Sequence, residues 1–594
     1  MKQFLLTAAG VFAGLLLFLV GVPFVLVSMA LNAAGPTPLP ARAVLELDLR
    51  DSLTDQSPRS PLAGLGGGGD SVMSVIETMK RAETADEVKG LLIRLPEGGL
   101  EPAVADELRL AILHFRASGK PVIAHSQGIY PSGAVTSTYM IAAAADQFWI
   151  QPGASFQVTG LANEDIFLKR FFDRYGVEAD YEQRYEYKNA VNGYLYSDYT
   201  AAHRESALSW MGAVYDQAIT AAAHDRKLEP AALKATLEAG PYDAADAVRL
   251  KIADHLGQVA EAEKALLDRA GSGAEMADFS DFAGGRSRAR GGRGAAIAVI
   301  EGEGPIVTGR DRGGGNPFSS SSSIYSDDMA EAFEAAVKDN DIKAIVFRLN
   351  SPGGSDTASE QIGAAIRKAK AAGKPVVVSM GTYAASGGYW VAADASSIIA
   401  EPTTLTGSIG VFGGKFAIGP ALARYGVDLR QLGVGSTYAG AFSTGRGFSP
   451  QERAAFAHWM DTVYGRFIQR VAEGRNLPPE RVREIAKGRV WTGAQAKGLG
   501  LVDELGGFYQ AVDKAKALAK LEGDPRLKRL TPGASPFQAL ERMLGVSASS
   551  VRTLAAAAWL FGDPRAQGLM DQLAEARMRD HGALLLSTER LQAR

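Results

Sequence analysis

"VKGLLIRLPEGG" (88–99) and "IKAIVFRLNSPGG" (342–354) share one plan: a short apolar run, an arginine, then a proline- and glycine-bearing turn. Each run is too brief for a helix and is closed by turn residues, which predicts a buried strand entering a tight turn. The parallel extends outward in the same order. "GKPVIAHS" answers to "GKPVVVSM", "YMIAAAADQFWIQP" (139–152) to "YWVAADASSIIAEP" (389–402), and "GPYDAADAVRLKIADHLG" (240–257) to "GRVWTGAQAKGLGLVDELG" (488–506). A shared order at a near-constant offset of about 250 residues indicates two tandem copies of one unit.

Within each copy, short apolar strands alternate with amphipathic stretches, which predicts an α/β fold with a largely parallel, buried sheet. The division is 1–40 for an N-terminal segment, 41–270 for the first copy and 271–294 for a Gly/Arg/Ser-rich linker. The second copy covers 295–520, and a tail of helical character covers 521–594. "GLGGGGD" (64–70) and "DRGGGNPFSSSSS" (311–323) read as loops.

The N-terminal segment is apolar from Phe4 to Leu31, flanked only by Lys2, and a helix of that length spans about 42 Å. It reads as a single transmembrane anchor with Lys2 inside and the bulk of the chain outside. The alternative is a cleaved signal peptide, for which "SMALNAAG" offers small residues. Lys+Arg 63 against Asp+Glu 66 gives no basic field for nucleic acid. Cysteine is absent, which excludes disulfides and thiol chemistry, and the seven histidines show no metal-ligand spacing. No metal and no cofactor are expected.

The copies differ where chemistry can reside. "TYAASGGYW" (382–390) sets Ser386 before a glycine pair at a strand-to-helix junction, whereas the first copy offers Ser132 or Thr136 by alternative alignments, neither followed by Gly-Gly. A glycine after a nucleophile lets the backbone approach closely and leaves its N–H free for an oxyanion. Downstream the asymmetry reverses: "RYEYKNAV" (184–191) pairs with "GSTYAGAF" (435–442), so Lys188 faces Ala439. Burial disfavours an ammonium, so a buried lysine can serve as the base that a serine without histidine needs. The plainer readings are an N-cap for Ser386, a solvated side chain for Lys188 and a β-turn for "SPGG".

"NSPGG", "AASGGYW", "TLTGSIGVFG", "YKNA" and "VWTGAQAKGLGLVDELG" together resemble the signal peptide peptidase A (protease IV) family in its long, tandem-repeat form, over about residues 40–520. The resemblance implies two tandem ClpP/crotonase-like ββα domains and a Ser/Lys-dyad serine endopeptidase. Ser386 is then the nucleophile, Lys188 the general base, and Ser408 the hydroxyl that orients the lysine. Gly387, with Gly353 or Gly354, supplies the oxyanion N–H groups. The resemblance further implies remnant signal peptides and other short apolar peptides as substrates. It also implies a bacterial inner-membrane location with a periplasmic catalytic part, and assembly as a homotetramer. Two rivals stand beside it: a crotonase-like acyl-CoA enzyme, and a non-catalytic membrane scaffold of the same fold.

Overall fold

The structure, a computed structural model, describes residues 39–56, 71–284, 294–311, 323–523, 525–532 and 585–586. The expected membrane anchor and the two glycine-rich loops lie essentially outside these residues. Among the described residues no helix is long and apolar enough to cross a membrane.

The two copies form two sheets with matching strand order. In the first, parallel strands run 255–256, 147–150, 122–126, 88–94, 43–48 and 275–278 across the sheet. In the second, the corresponding path is 504–505, 397–400, 376–385, 342–351, 296–303 and 526–530, again parallel. The motif strands Val88–Arg94 and Ile342–Ser351 occupy equivalent central places, and both are almost wholly buried, as strands covered on both faces must be.

Both copies extend further than their composition implies. Glu275–Asp278, inside the stretch read as linker, is the edge strand of the first sheet, and the helix Phe279–Gly284 follows it. Arg526–Leu530, inside the stretch read as tail, is the matching edge strand of the second sheet. "EMAD" and "RLKRL" are charged because edge strands meet solvent on one side, so they lack the apolar signature of the central ones.

The copies pack into one body. The helix Phe508–Leu518 lies over the second sheet, and its Phe508, Ala511 and Ala515 join the core cluster that contains most of the first copy. Val346, Val377 and Ile399 of the second sheet belong to that same cluster. Polar groups also cross the junction. Arg348, 2% exposed, donates to Asp55 Oδ1 at 2.5 Å and Glu107 Oε2 at 2.9 Å, both carboxylates from the first copy. Thr403 Oγ1 donates to Asp106 Oδ2 at 2.7 Å.

Candidate active site

The strand Val376–Ala385 is twice as long as its first-copy counterpart, Val122–Ser126. It pairs first with Ser397–Ala400 and then, further along, with Leu405–Gly407. This added length delivers Ser386 to the start of the helix Gly387–Ala393. Ser386 sits at φ 55°, ψ −118°, a conformation that costs a residue with a Cβ on the order of 1–3 kcal/mol. Two backbone bonds hold it there: Ser386 N–H donates to Gly407 O, and Ser386 O accepts from Trp390 N–H, each at 2.9 Å. It occupies the N-cap position, yet its side chain makes no capping bond. The hydroxyl instead accepts from Lys188 Nζ at 2.8 Å.

Lys188 arrives from the first copy on a two-stranded ribbon. Glu178–Gln183 pairs antiparallel with Phe412–Ala417 of the second copy. Beyond the ribbon, Arg184 N–H donates to Val411 O at 2.8 Å and Tyr187 N–H to Lys487 O at 3.2 Å. The lysine then enters a slot lined by glycine. A Cβ on Gly488 (φ +81°) would lie 2.6 Å from the Lys188 backbone, and one on Gly410 would lie 3.1 Å from Lys188 Cδ. The side chain is 1% exposed. Besides Ser386, its amine donates to Ser408 Oγ at 2.9 Å and Ser408 O at 3.0 Å. Ser408 has φ 48°, and its own N–H donates to Arg489 O at 2.8 Å, so that its hydroxyl and its carbonyl both meet the lysine.

The "PGG" turn closes the site. Gly354 is pressed against the neighbouring strand, where a Cβ would sit 2.0 Å from Ile306 O; no other residue fits. A Cβ on Gly387 would lie 3.0 Å from Gly354 N, so the two turns touch. Gly353 N–H donates to Ser351 Oγ at 3.2 Å. The residues singled out in the sequence, Ser386, Lys188, Ser408, Gly387, Gly353 and Gly354, are thus gathered at one place where the two copies meet. Gly410 and Gly488 were not singled out. Gly488 opens one of the matched repeat blocks, but nothing in the sequence shows that it faces a lysine three hundred residues away.

Chemically, the arrangement suits proton transfer from a hydroxyl. A neutral lysine amine has two N–H groups and one lone pair. The N–H groups can stay on Ser408 O and Oγ while the lone pair accepts from the Ser386 hydroxyl. Among the described residues no group of three or more His, Asp or Glu side chains could hold a metal ion.

The model of peptidase family S49 matches residues 114–272 and, again, 368–522, once in each copy. The chain belongs to family S49. "Protease 4" of Salmonella typhi is 32% identical to it over 81% of this chain and 79% of its own. "Protease 4" of Haemophilus influenzae is 30% identical over 86% and 84%. Among solved structures, a ClpP1 mutant from Listeria monocytogenes aligns over 36% of this chain and 94% of its own, at a TM-score of 0.24 and 14% identity. That score is too low to argue fold from, which rests on the two sheets. S49 membership makes the chain a serine peptidase, with two repeats of an α/β domain.

Proposed function

We propose that this S49 peptidase is a membrane-anchored endopeptidase working through a Ser386/Lys188 dyad assembled between its copies. The observation that carries the reading is the 2.8 Å contact between Lys188 Nζ and Ser386 Oγ, made between buried side chains of different copies. Burial disfavours the ammonium form of an amine. Lys188 in its neutral form takes the Ser386 proton as Oγ attacks a peptide carbonyl. The resulting oxyanion meets the N–H groups of Gly387 and of the "PGG" turn. Gly354 is the better donor there, because Gly353 N–H is already engaged by Ser351. Lys188 then protonates the leaving amine, and the acyl-enzyme is hydrolysed by water activated in the same way. Ser408 positions the lysine amine.

The fold is of the ClpP/crotonase type, and the substrates are remnant signal peptides and other short apolar peptides. The apolar stretch Phe4–Leu31 holds the enzyme in the bacterial inner membrane as a single pass, with the catalytic part periplasmic and assembled as a homotetramer.

Lys188→Ala tests the dyad. It should cut hydrolysis of a fluorogenic apolar peptide by at least about 10³-fold and suppress labelling of Ser386 by a serine-directed acylating probe. The wild-type rate should climb from mildly acidic to alkaline pH as the lysine loses its proton. Full activity in the variant, or a flat profile, would break the reading. Binding of an acyl-CoA thioester by the intact chain would favour the crotonase-like rival instead.

A further inference from the structure

The strand that delivers Ser386 does not run evenly. In its register with Ile342–Ser351, Leu349 faces Met380 and Ser351 faces Ala384, so Gly381, Thr382 and Tyr383 together oppose the single residue Asn350. The bulge lies where the strand leaves one neighbour, Ser397–Ala400, for another, Leu405–Gly407. A bulge re-aims a strand and interrupts its ladder, so the backbone groups it frees need other partners.

Side chains supply them. Tyr383 N–H donates to Asn350 Oδ1 at 3.0 Å, and Thr404 Oγ1 donates to Gly381 O at 2.8 Å. The Asn350 amide is itself held, its Nδ2 donating to Glu303 Oε1 at 3.2 Å. Glu303 is gripped in turn by the first copy: Oε1 accepts from Asp55 N–H and Oε2 from Gln56 N–H, each at 3.1 Å. Only Ala384 and Ala385, both buried, separate Tyr383 from Ser386.

The first copy lacks every part of this relay. With Arg94 set on Arg348, Asn350 falls on Pro96 and Glu303 on Arg50. There the third strand ends at Ser126, the counterpart of Met380, which is the last residue before the bulge. The copy without the amide and the carboxylate is also the copy whose strand stops short.

We infer that Asn350 is a positioning residue for Ser386: its amide, anchored through Glu303 to the first copy, carries the nucleophile strand across the bulge to the turn. The inference rests on the reading of Ser386 as the nucleophile. Through the N–H groups of Asp55 and Gln56 the first copy sets the place of the serine, just as its ribbon brings Lys188 to it.

Asn350→Ala in the full chain tests the relay. A displacement of about 1 Å at a reacting group can cost on the order of 10²-fold, so kcat for a short apolar peptide should fall by about that much with KM within a factor of about two. Asn350→Asp/Glu303→Gln keeps an acceptor for Tyr383 N–H and an N–H···O pair between the two positions, at unchanged net charge. It should recover about tenfold of the loss, the worth of one restored hydrogen bond. Hydrogen exchange at the Tyr383 amide should quicken in Asn350→Ala and slow again in the double variant. Asn350→Ser repeats both readings should the alanine variant fail to fold. A kcat within about threefold of the wild type overturns the inference, as does a double variant no faster than Asn350→Ala or an unchanged Tyr383 exchange rate. Ser386→Ala separates the two readings. If it stays active, the dyad falls; if it is inactive while Asn350→Ala works at full rate, only the positioning role falls.

Discussion

The two copies share a strand order but diverge just after the third strand of each sheet. In the first copy that strand stops at Ser126, and the chain loops through "QGIYPSGA" before its helix begins at Val135. The loop folds back on the first copy's own glycine turn. Gly99 N–H donates to Ser132 O at 2.6 Å, and Leu100 N–H to Thr138 Oγ1 at 3.1 Å, while the Thr138 hydroxyl donates to Gly98 O at 2.8 Å. The N–H of Gly99, which matches Gly354 of the second copy's glycine turn, is therefore consumed internally. In the second copy the strand runs straight through to Ala385 and presents Ser386 at the turn. The arginines of the paired motif diverge likewise. Arg94 pairs with Glu46 of its own sheet at 3.1 Å, whereas Arg348 is buried against carboxylates of the other copy. Once a duplicated unit has sealed its own site, it is free to contribute a part to its neighbour's, and the part proposed here is Lys188, whose amine reaches Ser386 of the other copy.

The sharpest way to break this contrast is to remove one hydroxyl from each copy. Ser386→Ala should lower kcat by at least about 10³-fold. Ser132→Ala, which trims an exposed side chain, should leave the rate within a factor of about two, since surface substitutions away from special features cost little. Comparable losses in the two variants would mean that the first copy's site is not closed. The next effect tests the slot that receives the lysine. Gly488→Ala puts a methyl 2.6 Å from the Lys188 backbone at a residue with φ +81°. Displacing a catalytic group by about 1 Å can cost on the order of 10²-fold, so kcat should fall by about that much, and the thermal midpoint should fall as well because the methyl meets backbone at a positive φ. A large drop in stability with no kinetic loss would show that Gly488 supports the fold rather than the base.

Ser408→Ala should cost less, about tenfold in kcat, the equivalent of one lost hydrogen bond of about 1.4 kcal/mol. The lysine keeps its bond to the Ser408 carbonyl. Loss of the hydroxyl should also shift the rising limb of the pH–rate profile, and Ser408→Thr should restore both. A tenfold loss with an unmoved profile would make Ser408 a packing residue.

Much of this was legible in the sequence, because duplication makes a chain its own alignment. The repeat of "IRLPEGG" in "FRLNSPGG", and the loss of Gly-Gly after Ser132, needed no structure. The pairing of Lys188 with Ser386 came from the reciprocal gap at Ala439 and from the family resemblance. Other features stayed hidden for physical reasons. The edge strands Glu275–Asp278 and Arg526–Leu530 carry charge and so look like linker and tail. The ribbon joining Glu178–Gln183 to Phe412–Ala417 is a long-range pairing with no local signature. The strand at Leu585–Leu586 is only two residues long, in a stretch whose composition reads as helix. The junction's buried charges were also invisible, since Asp55, Glu107 and Glu401 are ordinary acidic residues until the copies meet.

That junction yields the smallest predicted effect, and it bears on how the copies hold together. Glu401 is 1% exposed, and as a carboxylate neither of its oxygens finds a hydrogen-bond donor among the described residues. Burial pushes its pKa well above the usual range, with the negative charges of Glu107 and Asp106 adding to the shift and Arg348 opposing it. Protonated, Glu401 can donate to Glu107; ionised, it cannot. Burial likewise pushes Asp106 up to about 6 and Glu303 up to about 7. A group whose folded-state pKa is raised keeps its proton in the folded protein after the unfolded chain has released it. Its stabilising effect is therefore complete below the ordinary carboxyl range and is lost as pH rises toward the raised value. The second copy should loosen from the first as pH climbs from about 5 toward 8. Glu401→Gln keeps an N–H donor for Glu107 and cannot ionise. Its thermal midpoint should exceed that of the wild type at pH 8 by a few degrees, at about 2–4 °C per kcal/mol for a domain of this size, and match it at pH 5. A variant less stable than the wild type at both pH values would mean that Glu401 is ionised in the folded protein and paired with Arg348 instead.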